Sequence, residues 1–358
     1  MRRTGPAGIF LAVCAAFSAA LAAPAAADGM DPALLAKAMG RAESLPRLHA
    51  LIVARGGVIR VARAFRGPGL DAPANVKSVS KSVISALVGI AAARGVLAGP
   101  DQPIAGLLAD RLPVAPDARL RRVTVGDLLS MRAGLDRTSG RNYGRWVQTR
   151  DWVRFALSRP FVDEPGGRML YSTGNTHLLS AILTRASGRS THELARDWLG
   201  APLGIDIPPW QRDPQGIYLG GNNMLLSPRA LLKFGELYRN GGMHEGVRVL
   251  PESWIAESWT PRTRSPFSGH DYGFGWFIAS VCAQPVYYAR GYGGQFLHVA
   301  PALGLTVVIT SDPAIHTRVD DYRGALYALL RDDLVPAALA ADGKGCPADG
   351  PADGPPEE

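Results

Sequence analysis

Ser78-Val79-Ser80-Lys81-Ser82-Val83-Ile84-Ser85-Ala86-Leu87-Val88-Gly89-Ile90-Ala91-Ala92-Ala93-Arg94 organises the reading of the whole chain. It reads as a largely buried helix that ends at Gly95. Residues three apart share a helical face, so the Ser78 hydroxyl and the Lys81 amine come within hydrogen-bond reach. A serine hydroxyl is a poor nucleophile until a base removes its proton. A desolvated lysine is such a base if its pKa falls from about 10.4 towards neutrality. Ser78 also begins the helix, where unpaired N–H groups and the dipole favour developing negative charge. The chain holds only 5 lysines against 34 arginines, so lysine is replaced wherever arginine will serve. Lys81 leads straight into the most apolar helix, where a merely solvated charge is out of place. Alone, Ser-x-x-Lys is equally an ordinary helix start followed by a surface lysine.

Outward from this helix, residues 28–46 suggest a short leading helix. Residues 48–54 and 58–65 are apolar, β-branched runs separated by Arg55-Gly56-Gly57, a β-hairpin pattern. Helical signals dominate from 95 to 271, with candidates at 125–131, 152–157, 175–186, 191–199, 228–239 and 251–258. Strand patterns return at 274–281, 286–289, 295–299 and 305–310, followed by a last helix over 319–331. Strands at both ends with helices between imply one antiparallel sheet flanked by helices, an α/β fold with an inserted, mostly helical lobe. The expected division is a sheet domain from 28–94 and 272–335 and a helical lobe over 95–271, with a disordered tail over 340–358. Clefts between lobes are favoured ligand sites.

Two further segments bear chemistry. In Gly167-Arg168-Met169-Leu170-Tyr171-Ser172-Thr173-Gly174-Asn175, a tyrosine on a turn before a helix can project into a cleft and relay a proton, or simply pack at a domain junction. In Ala289-Arg290-Gly291-Tyr292-Gly293-Gly294-Gln295, the glycines let a substrate backbone approach and leave N–H groups for an oxyanion hole, or mark a bulge or tight turn. Tyr143, Trp146 and Asn222 are candidate lining residues. The seven histidines are dispersed without metal-ligand spacing, and neither a Gly-x-Ser-x-Gly elbow nor a glycine-rich phosphate loop occurs. No metal or cofactor is expected.

Composition is that of an ordinary globular chain: 358 residues, 47% hydrophobic and 20% charged. Arg2 and Arg3 precede an apolar run from Ile9 to Ala23, then Ala25-Ala26-Ala27 before Asp28, the order of a secretory signal peptide over 1–27. A retained anchor is the alternative, although no internal stretch reaches the roughly 18 apolar residues of a membrane span. The expected location is therefore periplasmic or secreted. The arginines are scattered rather than clustered, which gives a solvated surface and no nucleic-acid footprint. Cys282 and Cys346 could pair in an oxidising compartment, although Cys346 lies in the flexible-looking tail.

Taken in order, these elements resemble the serine β-lactamase and penicillin-binding-protein superfamily from about residue 48 to 331. The closest branch is the class C β-lactamase-related hydrolases, which include esterases, D-amino-acid peptidases and 6-aminohexanoate-dimer hydrolases. Leu128-Leu129-Ser130-Met131-Arg132-Ala133-Gly134-Leu135 is similar to an interior segment of that family. Tyr272-Gly273-Phe274-Gly275-Trp276 and Gly291-Tyr292-Gly293-Gly294-Gln295 resemble its late strands. The resemblance implies Ser78 as nucleophile, Lys81 as its base and Tyr171 as the second proton-transfer group. It places the oxyanion on the N–H groups of Ser78 and Tyr292. Two departures stand out: Thr173 replaces the Asn of the tyrosine motif, and Ala289-Arg290-Gly291 replaces Lys-Thr-Gly or His-Thr-Gly. A cation there helps hold a β-lactam carboxylate; Arg290 compensates only if it faces the cleft. The expected activity is thus hydrolysis of small esters, amides or peptides through an acyl-enzyme. The alternatives are a β-lactamase or D,D-peptidase and a catalytically silent binding protein. Arg290, Gly291 and Gly293 join Tyr143 and Asn222 as candidate substrate contacts.

Overall fold

The computed structural model of the protein describes residue 1, residues 29–314 and residues 321–347. The expected signal peptide falls outside the described residues except for Met1, as does the tail beyond 347.

Eight strands form one antiparallel sheet: β1 Leu48–Arg55, β2 Val58–Ala64, β3 Thr263–Arg264, β4 Asp271–Tyr272, β5 Phe277–Val281, β6 Gln284–Gly291, β7 Gln295–Ala300 and β8 Leu305–Ser311. Their order is β2-β1-β8-β7-β6-β5-β4-β3, so the N-terminal hairpin docks directly on the last strand. The hairpin turns at Gly56-Gly57, both with positive φ (58° and 82°), a conformation that glycine adopts without steric cost. Strand periodicity then sorts the side chains. Ile52 and Ala54 enter one core and Leu51 and Val53 the other.

On one face lie helix α1, Pro32–Ser44, and the C-terminal helices Tyr322–Ala328 and Val335–Ala341, joined by a π-helical turn over 329–334. The other face is covered by α2, Ser80–Ala93, and by α4, Pro228–Arg239, which packs on β1, β7 and β8. Helix α4 falls inside the expected helical lobe but sits on the sheet. Beyond α2, the helix α3, Thr173–Ser187, anchors the remaining short helices. Among the described residues no helix is long and apolar enough to cross a membrane.

Three expectations change. The strand expected from 274 begins at Phe277, because the turn before it docks on α2: Ser82 Oγ donates to the Gly275 carbonyl (2.6 Å) and Ser85 Oγ to that of Phe274 (2.7 Å). The last helix does not stop at 331 but continues to Ala341. Finally, Cys346 is not in a loose tail. It is disulfide-bonded to Cys282 in the two-residue turn between β5 and β6, with the Cα atoms 4.7 Å apart.

Candidate active site

Ser78 lies in a 3-10 turn, Lys77–Val79, that feeds directly into α2, one turn earlier than the regular helix. The turn is fixed at its back by Ser80, whose hydroxyl donates to the Lys77 carbonyl and accepts the Met224 N–H (3.2 Å). From α2 the Lys81 side chain returns to place Nζ 3.0 Å from Ser78 Oγ. Lys81 is 1% exposed and pairs with no carboxylate among the described residues. Burial lowers its pKa from 10.5 to about 7, because the charged form loses water without gaining a counter-charge.

Two further groups hold the amine, of which the sequence singled out Thr173 only as a departure from the tyrosine motif and Gly221 not at all. The Gly221 carbonyl lies 2.6 Å from Nζ and the Thr173 hydroxyl 3.3 Å. A neutral amine has two N–H donors and one lone pair. The Gly221 carbonyl can only accept, and Thr173 is an available second acceptor. The lone pair is left for the Ser78 O–H. Gly220 and Gly221 deliver this carbonyl by wedging against the start of α3. A Cβ on Gly221 would lie 2.0 Å from Thr176 Oγ1, and one on Gly220 would lie 2.1 Å from the Thr176 carbonyl oxygen. The Gly-Gly pair was visible in the sequence; its destination was not. Thr173 is tied in turn to Ser139, whose hydroxyl accepts the Thr173 N–H (2.8 Å) and lies 3.0 Å from Thr173 Oγ1.

Tyr171, two residues before α3, completes the cluster. Its phenol lies beside the Ser78 hydroxyl, and Lys81 Nζ stands 5.0 Å from its ring centre. The ring stacks on Phe277 and meets Tyr272 edge-on, which fixes its direction. Burial pushes its phenol up, while the neighbouring Ser78 hydroxyl and the Arg290 charge act the other way.

The remaining candidates divide. Tyr143 and Asn222 come together on one wall, where Asn222 Nδ2 donates to the Tyr143 hydroxyl (3.1 Å). Trp146 is fully buried behind Tyr143 and does not line the cleft. Gly291 is required by packing. A Cβ there would lie 2.4 Å from the Val76 carbonyl oxygen and 3.0 Å from Lys77 Cβ, so β6 closes tightly on the Ser78 turn. Tyr292 follows at once in the β6–β7 turn, one residue beyond the approach of Gly291 to Val76 and Lys77. At Gly293 a Cβ would lie 2.5 Å from Pro313 Cα, so packing requires a glycine there. Arg290 is directed into the aromatic cluster on which Tyr171 also packs. It shares the α1 face of β6 with Val286 and Tyr288, its Cζ 5.4 Å from the Phe277 ring centre and its charge close to Tyr327. Among the described residues no three His, Cys, Asp or Glu side chains are grouped to hold a metal.

A buried lysine on a serine, with a tyrosine against both, lies within the span that the Beta-lactamase family profile matches, residues 47–330. The chain belongs to the Beta-lactamase family. No curated protein matches it in sequence. Solved structures share its fold at low identity. A provisionally named 6-aminohexanoate-dimer hydrolase from Bacillus anthracis is 18% identical with a TM-score of 0.69, over 83% of this chain and 80% of that one. EstCE1, a hydrolase with promiscuous acyltransferase activity, is 18% identical with a TM-score of 0.70, over 84% and 99%. A D-stereospecific amidohydrolase from Streptomyces is 19% identical with a TM-score of 0.63, over 78% and 93%. At these identities the likeness establishes the Beta-lactamase fold, an antiparallel sheet flanked by helices.

Proposed function

We propose that this member of the Beta-lactamase family is an exported serine hydrolase that cleaves small esters or amides through an acyl-enzyme on Ser78. One observation carries the reading: a carboxylate-free, buried Lys81 amine 3.0 Å from the Ser78 hydroxyl, with pKa about 7. In the first step Ser78 Oγ attacks the substrate carbonyl and its proton passes to Lys81 Nζ. The tetrahedral oxyanion is met by the N–H groups of Ser78 and Tyr292. Tyr171, beside Ser78, carries a proton on to the departing alcohol or amine, which leaves as the acyl–Ser78 ester forms. Water then adds to that ester, gives up one proton to the same basic cluster, and releases the acid as Ser78 regains its hydrogen.

Labelling by a fluorophosphonate, with adduct mass on the Ser78 peptide, tests the assignment. Turnover of 4-nitrophenyl esters should fall by roughly a thousandfold or more in Ser78→Ala; equal labelling of wild type and variant removes Ser78 from the chemistry. Nitrocefin and labelled penicillin separate this reading from a β-lactamase or D,D-peptidase. The absence of a third-motif cation favours slow or no turnover of both. Export is supported by the Cys282–Cys346 bridge, since disulfides persist in oxidising compartments. Asp28 at the N-terminus of protein recovered outside the cytoplasm would establish it.

A further inference from the structure

Lys77 stands immediately before Ser78, and the proposed reaction gives it no part. Its φ of +50° is uncommon for a residue with a Cβ. Asn75 holds it there, its side-chain oxygen accepting the Lys77 N–H at 3.0 Å. Lys77 Cβ packs at Gly291, and the chain then extends to place Nζ 3.5 Å from Asn223 Oδ1. Asn223 is itself committed: its oxygen accepts from Asn75 (3.2 Å) and its amide donates to Gln211 (2.7 Å). One long contact to a neutral oxygen is thus what the ammonium has. The ion pairs formed among the described residues include none at Lys77, whereas Lys37 pairs with Asp333. Partial burial makes this a costly place for an uncompensated cation.

The segment Gly221-Asn222-Asn223 receives both lysines that flank Ser78. Lys81 meets the Gly221 carbonyl, Asn222 turns to Tyr143, and Lys77 meets Asn223. A substrate bonded to Ser78 along this wall has the Lys77 ammonium beside it. Lys77 adjoins the nucleophile in the chain, and no protein carboxylate among the described residues neutralises it.

We infer that Lys77 is a specificity-determining residue that selects substrates bearing a carboxylate close to the scissile bond. The inference rests on Ser78 being the nucleophile. Charge-assisted hydrogen bonds to carboxylates are about twice as strong as neutral ones, which is the source of the preference.

Matched esters test it and show on which side the carboxylate sits. 4-Nitrophenyl hemisuccinate against 4-nitrophenyl butyrate places the charge on the acyl side. 4-Acetoxybenzoate against 4-nitrophenyl acetate places it on the leaving group. In Lys77→Met, the kcat/KM ratio of anionic to neutral ester should fall about tenfold or more in one pair, mainly through KM, and Lys77→Arg should restore much of it. Methionine bears the same backbone cost at φ +50°, and the arginine variant reports on folding. Ratios unchanged in both pairs, with Ser78→Ala inactive, overturn the role of Lys77 and leave the serine hydrolase standing. Full activity in Ser78→Ala overturns both.

Discussion

At the residue scale the decisive group is Lys81. Its amine is made a base by loss of water around it, not by an adjacent charge. The protonated form predominates below pH 7 and has no lone pair with which to take the Ser78 proton. Ester hydrolysis should therefore rise with pH along a limb centred near 7, in kcat/KM profiles of the wild type. Lys81→Arg keeps a cation but cannot lose its proton near neutrality. It should lower kcat/KM by about a hundredfold or more and abolish that limb. Lysines 77 and 81 show how one residue type serves two ends. Lys81 is enclosed and serves as a base; Lys77 is half-buried, faces no carboxylate among the described residues and is assigned to recognition.

At the element scale, the site is built by close backbone approaches. Strand β6 meets the Ser78 turn at Gly291, where even a methyl group would strike the Val76 carbonyl oxygen. Gly291→Ala should push the strand away from the turn, cost about 1–3 kcal/mol of stability, and lower kcat more than it raises KM. Chemical unfolding and steady-state kinetics read the two effects separately. These approaches also mark where sequence reading stops. The hairpin over 48–65, the buried helix after Ser78 and the order of the late strands are legible, because each follows from a local period or a turn residue. The Ser78–Lys81 pairing is legible for the same reason, since three residues along a helix fix the distance. The Gly221 carbonyl is not, because every residue carries a carbonyl and only tertiary folding brings this one to Lys81. Nor does alternation say which face of β6 is which, so the side taken by Arg290 emerges only when Phe277 and Tyr327 are found around it. Nor does the sequence reveal that the missing Cβ of Gly293 makes room for Pro313.

At the scale of the whole molecule, the Cys282–Cys346 bridge closes a span of 64 residues that includes β6, β7, β8 and the C-terminal helices. In the chain-entropy account such a loop adds about 4 kcal/mol by restricting the unfolded state. A Cys282→Ser/Cys346→Ser protein should unfold at lower denaturant concentration by up to that amount, with little change in kcat. The bridge lies at the β5–β6 turn, whereas Ser78 is met by the opposite end of β6. A loss of turnover matching the loss of stability would show that the two ends of the strand are coupled.

The three contacts of Lys81 Nζ come from separate stretches of the fold: the start of its own helix, the head of α3 and the segment behind Gly221. The amine works like a rivet through overlapping plates. Any shear between the sheet-bound layer and the helices beyond it would pull at least one plate free, readmit solvent and recharge the nitrogen. Catalytic competence would then lapse before the fold itself gave way.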